Sequence, residues 1–242
     1  ARGLDSLGVI VEDLGRFREA QALGEQSLAI SRDLGDRRGM AGAMLSLGVV
    51  AWVQGRLDDA MPLLEQSAGI YRSLDDWSGL AWTIKSLGEV LVRRGLFDDG
   101  LIVLESGIQI SEELGDHFGV GAMLPFATEA RLHLGHYAEA LAEIRQEEEI
   151  VARYPYRWTR AFALFLHGMA LLALSPGGPD RAAAAEALAL LREAAAGFEA
   201  IRHGENRGWM AGPFGLAAHL GGLMSGFGLG WRGEVEGVRA DV

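Results

Sequence analysis

Residues 34–55 read LGDRRGMAGAMLSLGVVAWVQG, and residues 74–95, which begin 40 positions later, read LDDWSGLAWTIKSLGEVLVRRG. The same frame continues over 114–135 as LGDHFGVGAMLPFATEARLHLG. Several independent columns keep this period of 40 residues, which marks a repeated structural unit. These columns are Leu7-Gly8, Leu47-Gly48 and Leu87-Gly88; Gly15, Gly55, Gly95 and Gly135; Ala20, Ala60, Gly100 and Ala140; Asp36, Asp76 and Asp116; Gly39, Gly79 and Gly119.

Each repeat has the pattern of two helices joined by a tight turn. Apolar residues recur at helical spacing over 8–15 and again over 20–34. Glycine between two such runs can take the left-handed conformation that ends a helix, and Asp75, which replaces glycine at one turn, tolerates it better than most residues. An aspartate after the turn, such as Asp36, can cap the next helix by accepting from free backbone N–H groups. The unit is therefore a helical hairpin, in which the small-residue columns let two backbones approach closely.

The periodicity predicts an all-α fold without a β-sheet, because no long stretch alternates with period two. The predicted helices span 1–13, 17–34, 38–54, 57–74, 78–94, 97–114, 118–134, 137–153, 157–174, 180–203 and 208–223. The predicted solenoid fills 1–223, as repeats near 1–37, 38–77, 78–117, 118–156 and 157–207 followed by a capping helix over 208–223. A glycine-rich tail is expected over 224–242.

Composition narrows the possible functions. The 242 residues carry 22 Lys and Arg against 33 Asp and Glu, a formal charge of −11, which argues against a nucleic-acid partner for this domain. The absence of cysteine excludes disulfides, a thiolate nucleophile and Cys-ligated zinc. Residues 208–231 lack Asp, Glu and Lys, but their eight glycines and a proline argue against a membrane span. No nucleophile elbow, phosphate loop or paired-acid motif is present, so neither cofactor nor enzymatic activity is expected.

These columns resemble the tetratricopeptide repeat, whose pattern is W-x2-L-G-x2-Y, then A-x3-F, then P. The resemblance is carried in repeat two by Met44, Leu47, Gly48, Ala51, Ala60, Leu64 and Ser67, and in repeat three by Ile84, Leu87, Gly88, Leu91, Gly100, Leu104 and Gly107. The 40-residue period resembles the long-repeat branch, which includes kinesin light chain and many bacterial regulators. The phrase at 34–39 resembles the bacterial form found beside nucleotide-switch ATPase modules in transcription regulators. The resemblance implies a right-handed superhelical solenoid of about five repeats plus a C-terminal capping helix.

The resemblance also implies a binding site. In this family the first helix of each repeat lines the concave face, along a stripe with the 3–4 spacing of one helical face. Aromatic anchors beside charges on that stripe favour capture of a peptide or a small effector. The residues predicted to line this groove are Trp52, Trp82, Lys85, Glu89, Arg93, Glu129, His133, Phe162 and Phe165.

Plainer interpretations stand beside this one. Lys85 and Glu89 are one helical turn apart, so they can form a simple intrahelical pair worth a few tenths of a kcal/mol. His133 and His136 flank Gly135 at a helix end, where a turn with two solvated imidazoles is favoured over a metal pair.

The functional prediction is a non-enzymatic scaffold that binds a protein or peptide segment, or a small effector, in its groove. The chain is interpreted as a piece of a larger bacterial signalling or transcription regulator in the cytoplasm, with homo-oligomerisation through terminal repeats also open. Two alternatives remain: a structural oligomerisation element with an empty groove, and a helical-repeat enzyme whose active site lies in the groove.

Overall fold

The computed structural model describes residues 16–153, 157–173 and 181–202. These ranges contain nine helices and no strand. The helices are α1 (Phe17–Asp33), α2 (Arg37–Val53), α3 (Leu57–Ser73), α4 (Trp77–Arg93), α5 (Phe97–Glu113), α6 (His117–Leu134), α7 (Tyr137–Arg153), α8 (Arg157–Ala173) and α9 (Arg181–Arg202). Within the described ranges, no helix is both long enough and apolar enough to span a membrane.

The repeated columns determine where the helices begin and end. The aspartates that precede α2, α4 and α6 each accept a hydrogen bond from the backbone N–H three residues later, which belongs to Gly39, Gly79 or Gly119. The glycines at the turns have φ between 65° and 80°, and Asp75 takes the same left-handed conformation at φ 51°. Both predicted roles, the capping aspartate and the left-handed turn residue, are confirmed.

Small residues bring the two helices of a hairpin together. A Cβ built on Gly88 of α4 would lie 2.5 Å from Cγ of Leu104 on α5, and one on Gly48 of α2 would lie 2.8 Å from Cγ of Leu64 on α3. Leu64 and Leu104 are both fully buried. Each leucine therefore fills the space that the missing side chain of its glycine leaves open.

The hairpins stack in chain order. Every described helix packs against the next one, and the first helices of neighbouring repeats (α2 with α4, α4 with α6, α6 with α8) also contact each other. The second helices make no contact of comparable extent in the described ranges, so the first helices lie on the inner side of the stack. The largest core cluster runs through α4 to α9 and includes Phe126, Phe162 and Leu166.

The predicted all-α architecture of helical hairpins is confirmed for the described ranges. The predicted helices of these ranges are present, with bounds that differ by about one residue. The helices α2, α4 and α6 start one residue earlier than predicted because each capping aspartate is followed directly by the first helical residue. The predicted helices over 1–13 and 208–223 and the predicted tail over 224–242 lie outside the described residues.

Candidate functional site

Two salt bridges lie on the inner helices α4 and α6. Lys85 Nζ donates to Glu89 Oε1 at 2.6 Å within α4, and Arg93 Nη1 donates to Glu129 Oε1 at 2.6 Å between α4 and α6. The carboxylate side chains are only 2% and 3% exposed, whereas both cationic side chains are 14% exposed. The predicted intrahelical pair of Lys85 and Glu89 is therefore present, but its carboxylate is buried, so it is not the weakly stabilising exposed pair to which a few tenths of a kcal/mol applies.

A phenyl ring joins the two salt bridges. Lys85 Nζ lies 5.6 Å from the centroid of the Phe126 ring, and Arg93 Cζ lies 5.7 Å from the same centroid. Cations within about 6 Å of an aromatic face are attracted by its quadrupole. Phe126 therefore provides one buried surface against which both cations are held, and the inner faces of repeats three and four are linked through it.

Burial is the largest influence on the pKa of Glu89 in this cluster. Loss of solvation raises the pKa of Glu89, and the nearby Lys85 ammonium and Arg93 guanidinium only partly offset that rise. The charge of Glu129 acts in the same direction as burial, because the two carboxylates repel each other. An anion in this position is therefore costly, and it is tolerated because cations neutralise it locally.

His133 packs at the end of α6 against the first residue of α5. Its ring stacks on the Phe97 ring with centroids 4.1 Å apart and planes 6° apart. Partial burial lowers the pKa of His133, with Arg93 adding to the effect and Glu129 opposing it. The expected pair of solvated imidazoles is thus half wrong: His136 is exposed, but His133 is half-buried under an aromatic ring.

The two stripe tryptophans remain half-buried. The Trp82 ring lies 5.4 Å from the Phe118 ring, and Trp82 and Lys85 line the same shallow crevice between α4, α5 and α6. Trp52 on α2 packs beside the cluster that contains Leu64 and Val90. Both indole rings therefore keep some surface accessible to a binding partner, and neighbouring side chains fix their positions.

The two stripe phenylalanines of α8 lie in the core. Phe162 is 1% exposed and Phe165 is 3% exposed. The Phe162 ring packs against the Phe126 ring with centroids 5.7 Å apart, and it stacks with Phe165. The structure thus brings Lys85, Glu89, Arg93 and Glu129 together near the Phe126 ring, against which Phe162 packs.

Sequence reasoning missed Phe126, the ring that joins the two salt bridges. Phe126 lies three residues before Glu129, so helical spacing alone places both side chains near one face of α6.

Sequence reasoning also missed a second group of charged residues. Arg131 of α6 pairs with Glu143 of α7 and Glu105 of α5, and Thr128 donates to Glu143 at 3.1 Å. Burial raises the pKa of Glu143, and Arg131 opposes that rise. Among the described residues, no group of three or more histidines and carboxylates is placed to hold a metal ion.

Comparison with known proteins agrees with this architecture. Residues 1–73 match the tetratricopeptide repeat family. No curated protein matches the chain in sequence. The fold is similar to the nearly identical TPR-like repeats of a Podosopora anserina protein assigned as a kinesin light chain, at 19% identity and a TM-score of 0.61, covering 84% of this chain and 96% of that one. A second crystal structure of such repeats from that organism gives a TM-score of 0.60 at 19% identity, covering 84% and 97%.

At this level of identity the structural similarity establishes the fold alone. The sequence match and the fold support each other, because the helix pairs from α2 to α7 keep the 40-residue period that residues 1–73 share. The chain therefore contains a tetratricopeptide-repeat domain.

Proposed function

We propose that the chain is a non-enzymatic scaffold that binds an extended protein or peptide segment along its inner helices. Tetratricopeptide repeats generally mediate protein–protein interaction, and α2, α4 and α6 supply the inner face here. The observation that carries the proposal is the pairing of half-buried Trp82 with the largely buried, positively charged side chain of Lys85 in one crevice. A small effector that combines an apolar group with a charged one would use the same chemistry.

The supporting contacts favour recognition over catalysis. Buried carboxylates hold Lys85 and Arg93 in fixed positions, so their positive charges can orient a bound group of opposite charge. Trp82 offers a large apolar surface next to them, and such anchors dominate the energy of many interfaces. The segment we expect therefore carries an apolar side chain for the indole and a carbonyl or carboxylate oxygen for the cations.

Selection from a random peptide library displayed on phage tests the proposal. The 242-residue chain is the bait, and enriched peptides are synthesised and measured by calorimetry. Trp82→Ala and Lys85→Ala should each weaken binding about tenfold, the change produced by losing about 1.4 kcal/mol of contact energy. Ile102→Ala is the control, because Ile102 is an exposed apolar residue that lies on the outer helix α5.

Two results would refute the proposed site. One is a set of selected peptides whose affinity is unchanged by Trp82→Ala and Lys85→Ala. The other is a crosslinking map that places them on the second helices, around Glu147 to Glu149. Turnover of a substrate that Glu89→Gln abolishes would instead favour an enzyme with its active site in the groove.

We also propose that this scaffold works within a larger bacterial signalling or transcription regulator in the cytoplasm. The proposal rests on the phrase at 34–39, which resembles repeats that accompany nucleotide-switch ATPase modules. Reading the coding sequence around this chain tests it directly. A nucleotide-binding module in the same reading frame would support the proposal, and a secretion signal in that frame would contradict it.

A further inference from the structure

Apolar side chains are exposed along one edge of the solenoid. The edge consists of the three turns between repeats with their flanking residues, 32–38, 72–78 and 112–118, and we call it the turn edge. Its large apolar residues have exposed fractions between 38% and 73%. They are Leu34, Leu74, Trp77, Leu114 and Phe118. Three of them occupy one column of the repeat, so the same leucine recurs at each turn.

The three turns form one continuous surface. Arg37 Nη2 donates to Ser73 Oγ at 2.9 Å, and Arg38 Nε pairs with Asp76 Oδ2 at 2.7 Å, which ties the first turn to the second. The third turn contacts the helix that follows the second turn, because the Phe118 ring lies 5.4 Å from the ring of Trp82 on α4. A partner that binds this edge can therefore contact all three turns at once.

Charge changes steadily along the turn edge. The first segment, 32–38, has three arginines and two aspartates, a net charge of +1. The second, 72–78, has one arginine and two aspartates, a net charge of −1. The third, 112–118, has Glu112, Glu113 and Asp116 and no Arg or Lys, a net charge of −3 with His117 neutral. The edge is thus a line of exposed apolar residues with a positive end and a negative end.

We propose that the turn edge is a dimer interface, at which a second copy of this chain docks in the antiparallel sense about a two-fold axis. Such an axis makes the interface isologous: when one residue of the first copy contacts another residue of the second, the reverse contact forms as well. Placed at the second turn, it sets the positive first turn of each copy against the negative third turn of the other. A uniformly basic partner would meet like charge at the first turn, and a uniformly acidic one would meet it at the third.

The repeat columns make this pairing specific. Arg32 and Glu112 occupy equivalent positions in repeats two apart, and both are exposed, so the antiparallel arrangement brings opposite charges together twice. Arg38 and Phe118 likewise share a column, which brings a guanidinium near an exposed ring. Leu74 and Trp77 belong to the central turn, so their apolar surfaces meet their own copies across the axis.

Analytical ultracentrifugation of the full chain from low to high micromolar concentration measures the association. Wild type should sediment as a concentration-dependent monomer–dimer mixture. Leu74→Ser combined with Trp77→Ser should raise the dimer dissociation constant by more than about tenfold, because each change occurs twice in the interface. Ile102→Ser is the matched control, since Ile102 is 66% exposed but lies on α5 away from the turns.

A charge exchange tests the antiparallel register. Arg32→Glu alone and Glu112→Arg alone should each weaken the dimer about tenfold, because each puts like charges together at both ends. The double variant that carries both changes should restore the wild-type dissociation constant. Glu65→Arg is the charge control, because Glu65 is exposed on α3 away from the turn edge.

Three outcomes overturn the proposal. The first is a wild-type chain that remains monomeric at every concentration. The second is a dimer whose dissociation constant is unaffected by Leu74→Ser with Trp77→Ser, because another surface then forms it. The third is a double charge variant that is as weak as the sum of its single changes, because the register is then not antiparallel. Circular dichroism of each variant confirms that the helices are retained.

Discussion

Replacing Gly88 by alanine should destabilise the solenoid even though alanine is the better helix former. A Cβ at this position would lie 2.5 Å from Leu104 Cγ and 2.6 Å from Leu104 Cδ2. Cγ is the branch point of a fully buried side chain and not its flexible end, so the leucine or the helix must move. Overpacking of this kind costs about 1–3 kcal/mol.

The gain in helix propensity that opposes this clash can be measured separately at a second helical glycine. Gly69 of α3 is exposed, and a Cβ built there has no atom within 4 Å. Gly69→Ala should therefore show the helix-propensity gain alone, about 1 kcal/mol. The difference in unfolding free energy between the two variants isolates the clash, and we expect it to be about 1–3 kcal/mol in favour of Gly69→Ala.

Urea unfolding followed by the helical circular-dichroism signal measures both variants. Leu104→Ala should cost about 2–5 kcal/mol because it leaves a cavity. Adding Gly88→Ala to that variant should then stabilise it, because the new methyl group enters the vacated space and the gain in helix propensity remains. Equal midpoint shifts for Gly88→Ala and Gly69→Ala would refute the proposed glycine–leucine packing. A further loss of stability in the double variant would do the same.

Two other predictions concern a turn and a histidine. Asp75→Gly should stabilise the chain by about 1 kcal/mol in a thermal melt, because φ 51° strains any residue with a Cβ, and Gly115→Ala should lose a similar amount. Equal melting temperatures for these two variants would contradict this. The lowered pKa of His133 means that the unfolded chain takes up the proton first, so stability should fall as pH decreases below about 6.5. His133→Phe keeps a ring against Phe97 and should reduce that pH slope, and an unchanged slope would assign it to other groups.

The sequence predicted the hairpins well because their signals are local. A turn residue needs only its own φ, so Asp75 could be assigned a left-handed conformation from the column it shares with two glycines. A capping aspartate needs only the three residues that follow it, as at Asp116 and Gly119. Such features repeat every 40 residues, and the repetition itself separates them from chance.

The burial of the site could not be predicted in the same way. Spacing within α4 placed Glu89 one turn after Lys85, but it carried no information on whether another helix covers that turn. The cover depends on the rotation between repeats, which brings Glu129 within 2.6 Å of Arg93 across 36 residues of sequence. The same rotation places Phe162 in the core, although its stripe position alone allows it to be open.

The buried salt bridges therefore have a different physical role from the leucine core. Replacing a buried ion pair by well-packed apolar residues is often neutral or even stabilising, so the pairs on α4 and α6 are poorly explained as sources of stability. A charged hydrogen bond has a narrow range of distance and angle, whereas apolar contacts allow helices to slide. Because Arg93 and Glu129 belong to neighbouring repeats, their 2.6 Å contact fixes how α4 lies against α6. We infer that this pair sets the local curvature of the inner face, and with it the position of Trp82 and Lys85 relative to the next repeat.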